Sequence, residues 1–164
     1  MEEIWTDPET VKAFLQSFKL GLSFGEAYLK RKWNPNKNDE KAAWAMYVEM
    51  VTRVVTQPLP PKQGDEATAL KSIHSLFETT REVLKEHGHG CHEFPAIAVE
   101  ILNQKVRPFT TKWHHDPLEE VFNSEIKRTE FRDDLENLQE SLCKYTQALA
   151  VMAKVKDLTS PSEE

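Results

Sequence analysis

The strongest structural pattern in the chain lies in residues 124–158, SEIKRTEFRDDLENLQESLCKYTQALAVMAKVKDL. Its apolar residues recur in alternating steps of four and three, the heptad spacing of helices that pack along a seam. The seam consists of Phe131, Leu135, Leu138, Leu142, Tyr145, Leu149 and Met152. At 1.5 Å per residue this helix is about 50 Å long. Because it exceeds the other predicted helices, we expect one end to overhang and to pair with a partner protein or a second copy of the chain.

Helical periodicity extends over almost all of the remaining chain. Four further helices are predicted to begin near residues 6, 38, 65 and 95. Pro108 falls inside or at the end of the fourth of them, where proline removes a hydrogen bond and predicts either a kink near Val106 or a split into two helices. The sequence therefore predicts an all-α, up-and-down bundle of four or five helices with a proline-kinked fourth helix. We assign residues 1–158 to a single domain and residues 159–164 to a disordered tail.

Two of these helices have patterns that define an expected inner face. In the second predicted helix, the apolar stripe at three- and four-residue spacing consists of Trp44, Tyr47, Val48, Val51, Val54 and Val55. We expect this stripe to face the core.

The third predicted helix continues from its cap at Asp65 to Gly88 without interruption. His74 lies beside the apolar stripe of that helix and is expected to be an interior histidine.

The composition excludes several classes of protein. The chain has 21 Lys and Arg residues against 27 Asp and Glu residues, a net charge of -6. This balance excludes a globally basic protein that coats nucleic acid, but not a local basic patch. No apolar stretch suits a membrane span, the first residues lack the pattern of a signal peptide, and two cysteines make no disulfide framework. We expect a cytoplasmic protein that does not enter a membrane.

The segment 87–93, HGHGCHE, contains five potential metal ligands within seven residues. Imidazole, thiolate and carboxylate groups suit zinc or a neighbouring transition metal. The candidate ligands are His87, His89, Cys91 and His92, with Zn²⁺ as the candidate cofactor. The spacing matches no standard zinc finger. The alternative is a polar turn between the third and fourth helices, in a protein without a cofactor.

A second candidate site lies in residues 107–114, RPFTTKWH. Arg107 and His114 are seven residues, or two helical turns, apart and share a face if the helix is continuous. An arginine and a histidine on one face can hold a phosphate and take a proton from a ribose hydroxyl. The pair resembles the R-x(4–6)-H motif of HEPN ribonucleases, small helical bundles that usually pair to form a composite site. The resemblance implies a metal-independent ribonuclease with Arg107 as phosphate clamp and His114 as general base. The chain departs from that family at Pro108, where a polar residue is usual.

The same segment, extended to residues 101–114, resembles an L-N-x-x-L-R-P-F-x-x-K-W-H box of uncharacterised helical proteins from bacterial conflict and antiphage-defence systems. The resemblance implies a setting, phage defence, and no particular reaction. In that setting Phe109, Lys112 and Trp113 are candidate contacts to a partner. Alternatively, Phe109 and Trp113 pack into the core around the proline while Arg107 and Lys112 remain in solvent.

A basic segment precedes Trp33, formed by Lys30, Arg31 and Lys32. Cations beside an aromatic ring can contact phosphate and stack on a base. Cations are equally favoured in the last turn of a helix by its dipole, and we prefer this explanation. Nucleic acid is therefore compatible with the sequence but is not the favoured partner.

The function predicted from the sequence is non-catalytic. We expect a helical interaction or adaptor subunit, plausibly of a bacterial defence or toxin system, that acts through helix 124–158 and the surface of residues 107–114. A ribonuclease using Arg107 and His114 and a metal-binding protein using residues 87–93 are the alternatives. Exposure of Arg107 and His114 in a common cleft favours chemistry, whereas an internal hydrogen bond of His114 together with a buried Trp113 favours a structural role.

Overall fold

A computed structural model describes residues 34–53, 56, 59, 65–114, 118–155 and 158. These residues form an all-α helical bundle without strands, which confirms the predicted fold class. Its helices are α1 (Lys37–Val51), α2 (Glu66–His74), α3 (Leu76–His87), α4 (Phe94–Ile101), α5 (Arg107–Trp113), α6 (Leu118–Val121) and α7 (Glu125–Ala153). The turn Gly88–Gly90 follows α3 as a short 3-10 helix. The predicted first helix and the predicted tail lie outside the described residues.

Helix α1 begins at a capping box. The Asn36 side chain accepts a hydrogen bond from the Asp39 N–H at 3.0 Å, and the Asp39 carboxylate accepts one from the Asn36 N–H at 2.8 Å. Such a pair satisfies two N–H groups for which the first turn of a helix has no backbone partner. Helix α1 therefore begins at Lys37, one residue before the predicted start.

The buried face of α1 differs from the predicted apolar stripe. Trp44 is 50% exposed and Val48 is 38% exposed, whereas Ala42, Ala43 and Met46 are at most 1% exposed. Of the predicted stripe, Tyr47 is buried as expected. Val51 packs against the core and Val54 and Val55 lie outside the described residues, so the prediction was wrong at Trp44 and Val48. It favoured the larger apolar side chains. Small alanine side chains instead fill the close contact of α1 with its neighbours, where little space is left.

Helices α2 and α3 together correspond to the predicted third helix, which is interrupted at Ser75. The Ser75 hydroxyl donates a hydrogen bond to the carbonyl of Ser72 at 2.7 Å, a local bond that competes with regular helical pairing. Arg53, just after α1, donates to the hydroxyls of Ser75 and Thr79. The interruption is thus held by a side chain that is distant in sequence.

The segment before Pro108 is a π-helical turn, Leu102–Val106, that joins α4 to α5. In a regular α-helix, a proline ring collides with the carbonyl four residues earlier, here that of Gln104. Proline also has no N–H that could donate a hydrogen bond to this carbonyl. In the π turn, the Arg107 N–H donates to the Leu102 carbonyl, five residues back. Helix α5 then runs from Arg107 to Trp113 with Pro108 in its first turn. The irregular turn therefore lies before Arg107, and the helix after it is unbroken.

Helix α7 provides the centre of the core. All seven residues of its heptad seam are buried, and α1 packs along it. The Phe131 ring meets the rings of Phe109, Trp113 and Phe122 with centres 4.9 to 5.4 Å apart. The helix has 29 residues and ends at Ala153, before the predicted residue 158, because Lys154 adopts a left-handed conformation with φ 58°. The seam therefore packs within the core of its own chain.

Candidate functional site

The His-rich segment 87–93 is a turn fastened to the start of α1. The buried Asp39 carboxylate accepts hydrogen bonds from the N–H groups of His92, Glu93 and Phe94 at 2.9 to 3.1 Å. Because Phe94 begins α4, the same carboxylate lies at the N-terminus of that helix, where a negative charge is stabilised. These contacts give the turn a structural role.

Cys91 is a poor candidate for a metal ligand in this environment. Burial, followed by the nearby charge of Asp39, raises the pKa of the Cys91 thiol to about 12. Its sulfur donates to the carbonyl of His87 at 3.2 Å. The thiolate is the form that binds metals, and a thiol with this pKa is almost entirely protonated at neutral pH.

The four predicted metal ligands do not form a common site. His89 and His92 are exposed, whereas His87 and Cys91 are half-buried. The ring of His92 lies 3.4 Å from the carbonyl of Asn34. Within the described part of the chain, no group of three or more His, Cys, Asp or Glu side chains could hold a metal ion. Zinc binding at this turn remains a prediction without support from the geometry.

Arg107 and His114, by contrast, line the same open groove. The groove has a volume of about 580 Å³ and lies between α5 and the junction of α2 with α3. Arg107 begins α5 and His114 follows its last residue, and both side chains are exposed. His74, from the end of α2, and Arg81, from α3, line the groove with them. The unbroken α5 thus brings both predicted residues to one surface.

Four planar groups of the groove contact one another in series. The guanidinium carbon of Arg107 lies 4.9 Å from the centre of the Phe77 ring. The His74 ring meets Phe77 edge-on, with centres 5.8 Å apart, and stacks on the His114 ring, with centres 5.3 Å apart and planes 25° apart. These contacts hold α5 against α2 and α3 and present Arg107 and His114 together.

The charge of the groove is opposite to that of the whole protein. Arg81 and Arg107 contribute two positive charges against the single carboxylate of Glu78. His74 and His114 add two imidazole rings to the same lining. Guanidinium groups match the geometry of phosphate, and imidazoles exchange protons near neutral pH. The groove can therefore attract a phosphate group, and its imidazoles suit proton transfer to or from other groups of a ligand.

Two of the three predicted partner contacts are buried. Phe109 is 7% exposed and Trp113 is 2% exposed, because both rings pack around Phe131. The Trp113 indole N–H donates to the Asp134 carboxylate at 2.9 Å. Their burial does not fit a role as surface contacts to a partner. Both residues instead pack into the core, as the alternative interpretation of the segment expects.

Lys112, the third predicted partner contact, is exposed but forms ion pairs with α7. Its ammonium lies 2.6 Å from Asp134 and 3.0 Å from Glu130. The hydrogen bond to Asp134, followed by that to Glu130, raises the pKa of Lys112. Hydrogen bonds from Lys112 and then Lys127 lower the pKa of Glu130. This cluster connects α5 to α7. Its side chains are not among those that line the groove.

Sequence reasoning missed His74 and Arg81 as residues of the site. The expectation that His74 is an interior histidine was wrong, since its side chain is exposed and the neighbouring Ile73 takes the buried position. One signal was present in the sequence. His74 and Arg81 are seven residues apart, which is the spacing of Arg107 and His114 in reverse order. Nothing local indicated that the two pairs meet.

Comparisons with known proteins add no identification. No model of a protein family, no curated protein and no solved structure matches the chain. Among the described residues, no helix is long and apolar enough to cross a membrane. The predicted basic segment from Lys30 to Trp33 lies outside the described residues. A function must therefore be inferred from the side chains that line the groove.

Proposed function

We propose that this chain is a non-catalytic helical binding protein that recognises the phosphates of a single-stranded nucleic acid in the groove between α5 and the α2–α3 junction. The observation that carries the proposal is the joint exposure of Arg107 and His114 in one groove with His74 and Arg81. The prediction from the sequence took such a common cleft to favour chemistry, which is why a ribonuclease is kept below as the second candidate, and took a buried Trp113, also observed, to favour a structural role.

The geometry of Arg107 supports an anionic ligand. Its guanidinium lies over the ring of Phe77 and its Nε–H donates to the Asn103 side chain at 3.4 Å, so the two terminal nitrogens are the groups that would meet an anion. The position of the group is thereby fixed before a ligand binds, which reduces the entropy lost on binding. Arg81 adds a second positive charge in the same groove.

The two exposed imidazoles favour a nucleic-acid strand among phosphate-bearing ligands. His74 and His114 present stacked planar rings beside the arginines. Proteins that bind single strands combine positive charge along the backbone with planar side chains on which bases stack. The groove offers both features within one site, which is why we now favour nucleic acid over the less specific partner expected from the sequence.

The wider role that we propose is that of an adaptor in a cytoplasmic defence system against phage. The resemblance of residues 101–114 to helical proteins of such systems supports this setting. Because the heptad seam of α7 is buried in its own chain, a partner protein or a second copy would contact the outer face of α7. That face carries exposed acidic residues, among them Asp133 and Glu136.

A metal-independent ribonuclease is the second candidate, favoured by the stacking of His74 and His114 beside Arg107. In this candidate His114 takes the proton of a ribose 2′-hydroxyl, whose oxygen attacks the adjacent phosphorus. The bond from phosphorus to the 5′ oxygen breaks, and the leaving oxygen receives a proton from an imidazolium. Arg107 stabilises the negative charge on the phosphate. The products are a 2′,3′-cyclic phosphate and a 5′-hydroxyl.

One experiment separates the two candidates. Labelled oligouridylate RNA and oligothymidylate DNA of equal length are incubated with the protein, and both binding and strand length are followed by fluorescence anisotropy and gel electrophoresis. A binding protein retains both strands intact. A ribonuclease shortens the RNA and leaves the DNA, which has no 2′-hydroxyl.

Variants of the groove locate the binding site. Arg107→Ala and His114→Ala should each lower the affinity by about tenfold or more, as expected for a lost hydrogen bond to a charged group. Lys85→Ala is the matched control, because Lys85 is exposed on α3 but does not line the groove. Binding that is lost equally in the control, or absent from the wild-type protein, would refute the proposal.

A further inference from the structure

We infer that His74 is a second ligand-binding residue of the groove, and that His74 and His114 take up protons together when a phosphate binds. This inference rests on the proposed function and adds to it a regulator, the proton. Neither the R-x6-H motif nor the box of residues 101–114 includes His74.

The placement of the two rings is the first argument. Both imidazoles are exposed to the groove and stack with centres 5.3 Å apart. His74 is the last residue of α2, and His114 directly follows α5. The C-terminal end of a helix carries partial negative charge and favours a cation. The end of α5 thus supports positive charge at His114, whereas at His74 the end of α2 meets the start of α3, whose partial positive charge offsets it.

The charged neighbours of the rings determine when both can be protonated. From α3, Glu78 favours a protonated ring and Arg81 opposes it, and from α5 Arg107 also opposes it. Two stacked imidazolium rings repel each other as well, since like charges disfavour one another at short distance. A phosphate in the groove is attracted to both rings and both arginines. Binding therefore offsets the repulsion and allows both rings to be charged.

Ligand affinity is consequently linked to pH. Each proton taken up on binding makes the affinity fall by up to about tenfold per pH unit as the pH rises. With two coupled rings, we expect the steepest part of the curve to exceed the slope for one proton. Between pH 5.5 and pH 8 the affinity should fall by at least about tenfold.

The probe is an oligothymidylate DNA strand without terminal phosphates, labelled at one end with a dye that does not titrate between pH 5.5 and pH 8. Its phosphodiesters and its thymines keep their charge throughout this pH range, so the dependence on pH belongs to the protein. Affinity is measured by fluorescence anisotropy at constant ionic strength. Isothermal titration calorimetry in two buffers of different ionisation enthalpy counts the protons taken up at each pH.

His74→Gln tests the assignment of His74 directly. Glutamine keeps a polar, planar end but does not titrate, so the variant should bind about tenfold more weakly at pH 5.5 and equally well at pH 8. Its slope should correspond to no more than one proton. His89→Gln is the matched control, because His89 is exposed in the turn Gly88–Gly90 and does not line the groove. Circular dichroism establishes that each variant is folded.

The outcomes distinguish this inference from the proposed function. Binding that is independent of pH, or a His74→Gln variant with the slope of the wild-type protein, overturns the inference and leaves phosphate recognition in place. Failure to bind the strand at any pH overturns the proposed function itself. A loss of slope in His89→Gln as well would assign the titration to another part of the protein and also overturns the inference.

Discussion

A single carboxylate, that of Asp39, fastens the start of α1 to the start of α4. It is fully buried and accepts hydrogen bonds from the backbone of Asn36, His92, Glu93 and Phe94. Burial raises the pKa of Asp39, but the bonds from Phe94, Asn36, Glu93 and His92 outweigh it and lower the pKa below its ordinary 3.8. The charged form of Asp39 therefore stabilises the fold.

We expect Asp39→Asn to lower the free energy of unfolding by about 2–4 kcal/mol at neutral pH. The asparagine amide places a donor against the N–H groups of Asn36 or His92, so at least one of these bonds is replaced by a repulsive contact. Urea unfolding followed by circular dichroism measures the change. Asp133→Asn, an exposed site on α7, is the control and should remain close to the wild-type protein.

The same residue predicts how stability depends on pH. Because the folded pKa of Asp39 is lowered, its contribution is fully present above its ordinary pKa of 3.8 in the unfolded chain. It is lost as the pH falls through the folded pKa. The difference in stability between the wild-type protein and Asp39→Asn should therefore be constant from pH 5 to 7 and shrink below pH 4. A difference that grows towards acid would show that Asp39 does not act as a carboxylate.

The contact of α5 with α7 positions one side of the groove. Trp113 and Lys112 both donate to the same Oδ2 oxygen of Asp134, the first from a buried indole and the second from an exposed ammonium. The indole bond is the more important of the two, because a buried donor without a partner is costly and an exposed ion pair contributes little. This contact therefore holds α5, and with it Arg107, in place.

Two substitutions of Asp134 separate these contributions. Asp134→Asn retains an oxygen for the Trp113 N–H and should leave stability close to that of the wild-type protein. Asp134→Ala leaves the buried indole without a partner and should destabilise the fold by about 1–3 kcal/mol. Chemical unfolding measures the change in stability of each variant. The fluorescence of Trp113, which contacts Asp134, can report the transition. Equal losses in the two variants would mean that the ion pair with Lys112 dominates instead.

The charge of the whole molecule bears on the proposed ligand. The net charge is -6, yet the groove has two arginines against one glutamate. A nucleic-acid strand is therefore repelled by most of the surface and attracted only locally. Affinity should then depend on the few cations of the groove rather than on a broad basic surface.

Salt dependence tests this local character. For single strands, the logarithm of the affinity falls with the logarithm of salt concentration with a slope of about -0.7 for each neutralised phosphate. Two arginines give a slope of about -1.4 at pH 8, and two protonated histidines steepen it towards about -2.8 at pH 5.5. Anisotropy titrations from low to high salt measure it. A slope steeper than this would require a second basic surface, for which the segment from Lys30 to Trp33 is the candidate.

The sequence by itself determined the helical class and the helix that organises the core. The heptad seam of α7 is a local pattern, because burial repeats every few residues along one face, and all seven of its residues are buried. The seven-residue spacing of Arg107 and His114 was equally readable, since one helix connects them. A periodic pattern shows which residues share a face of a helix. It does not show which other helix, or solvent, that face contacts.

Tertiary structure decided those surfaces. It turned Ala42 and Ala43 of α1 inward in place of Trp44, brought His74 to His114, and used residues 87–93 as backbone partners for Asp39. Each of these outcomes depends on contacts between residues far apart in the chain, whose energies do not repeat with the period of a helix. Helical periodicity therefore indicated which residues share a face, and only the packing of helices on one another selected the face that is buried and the side chains that meet in the groove.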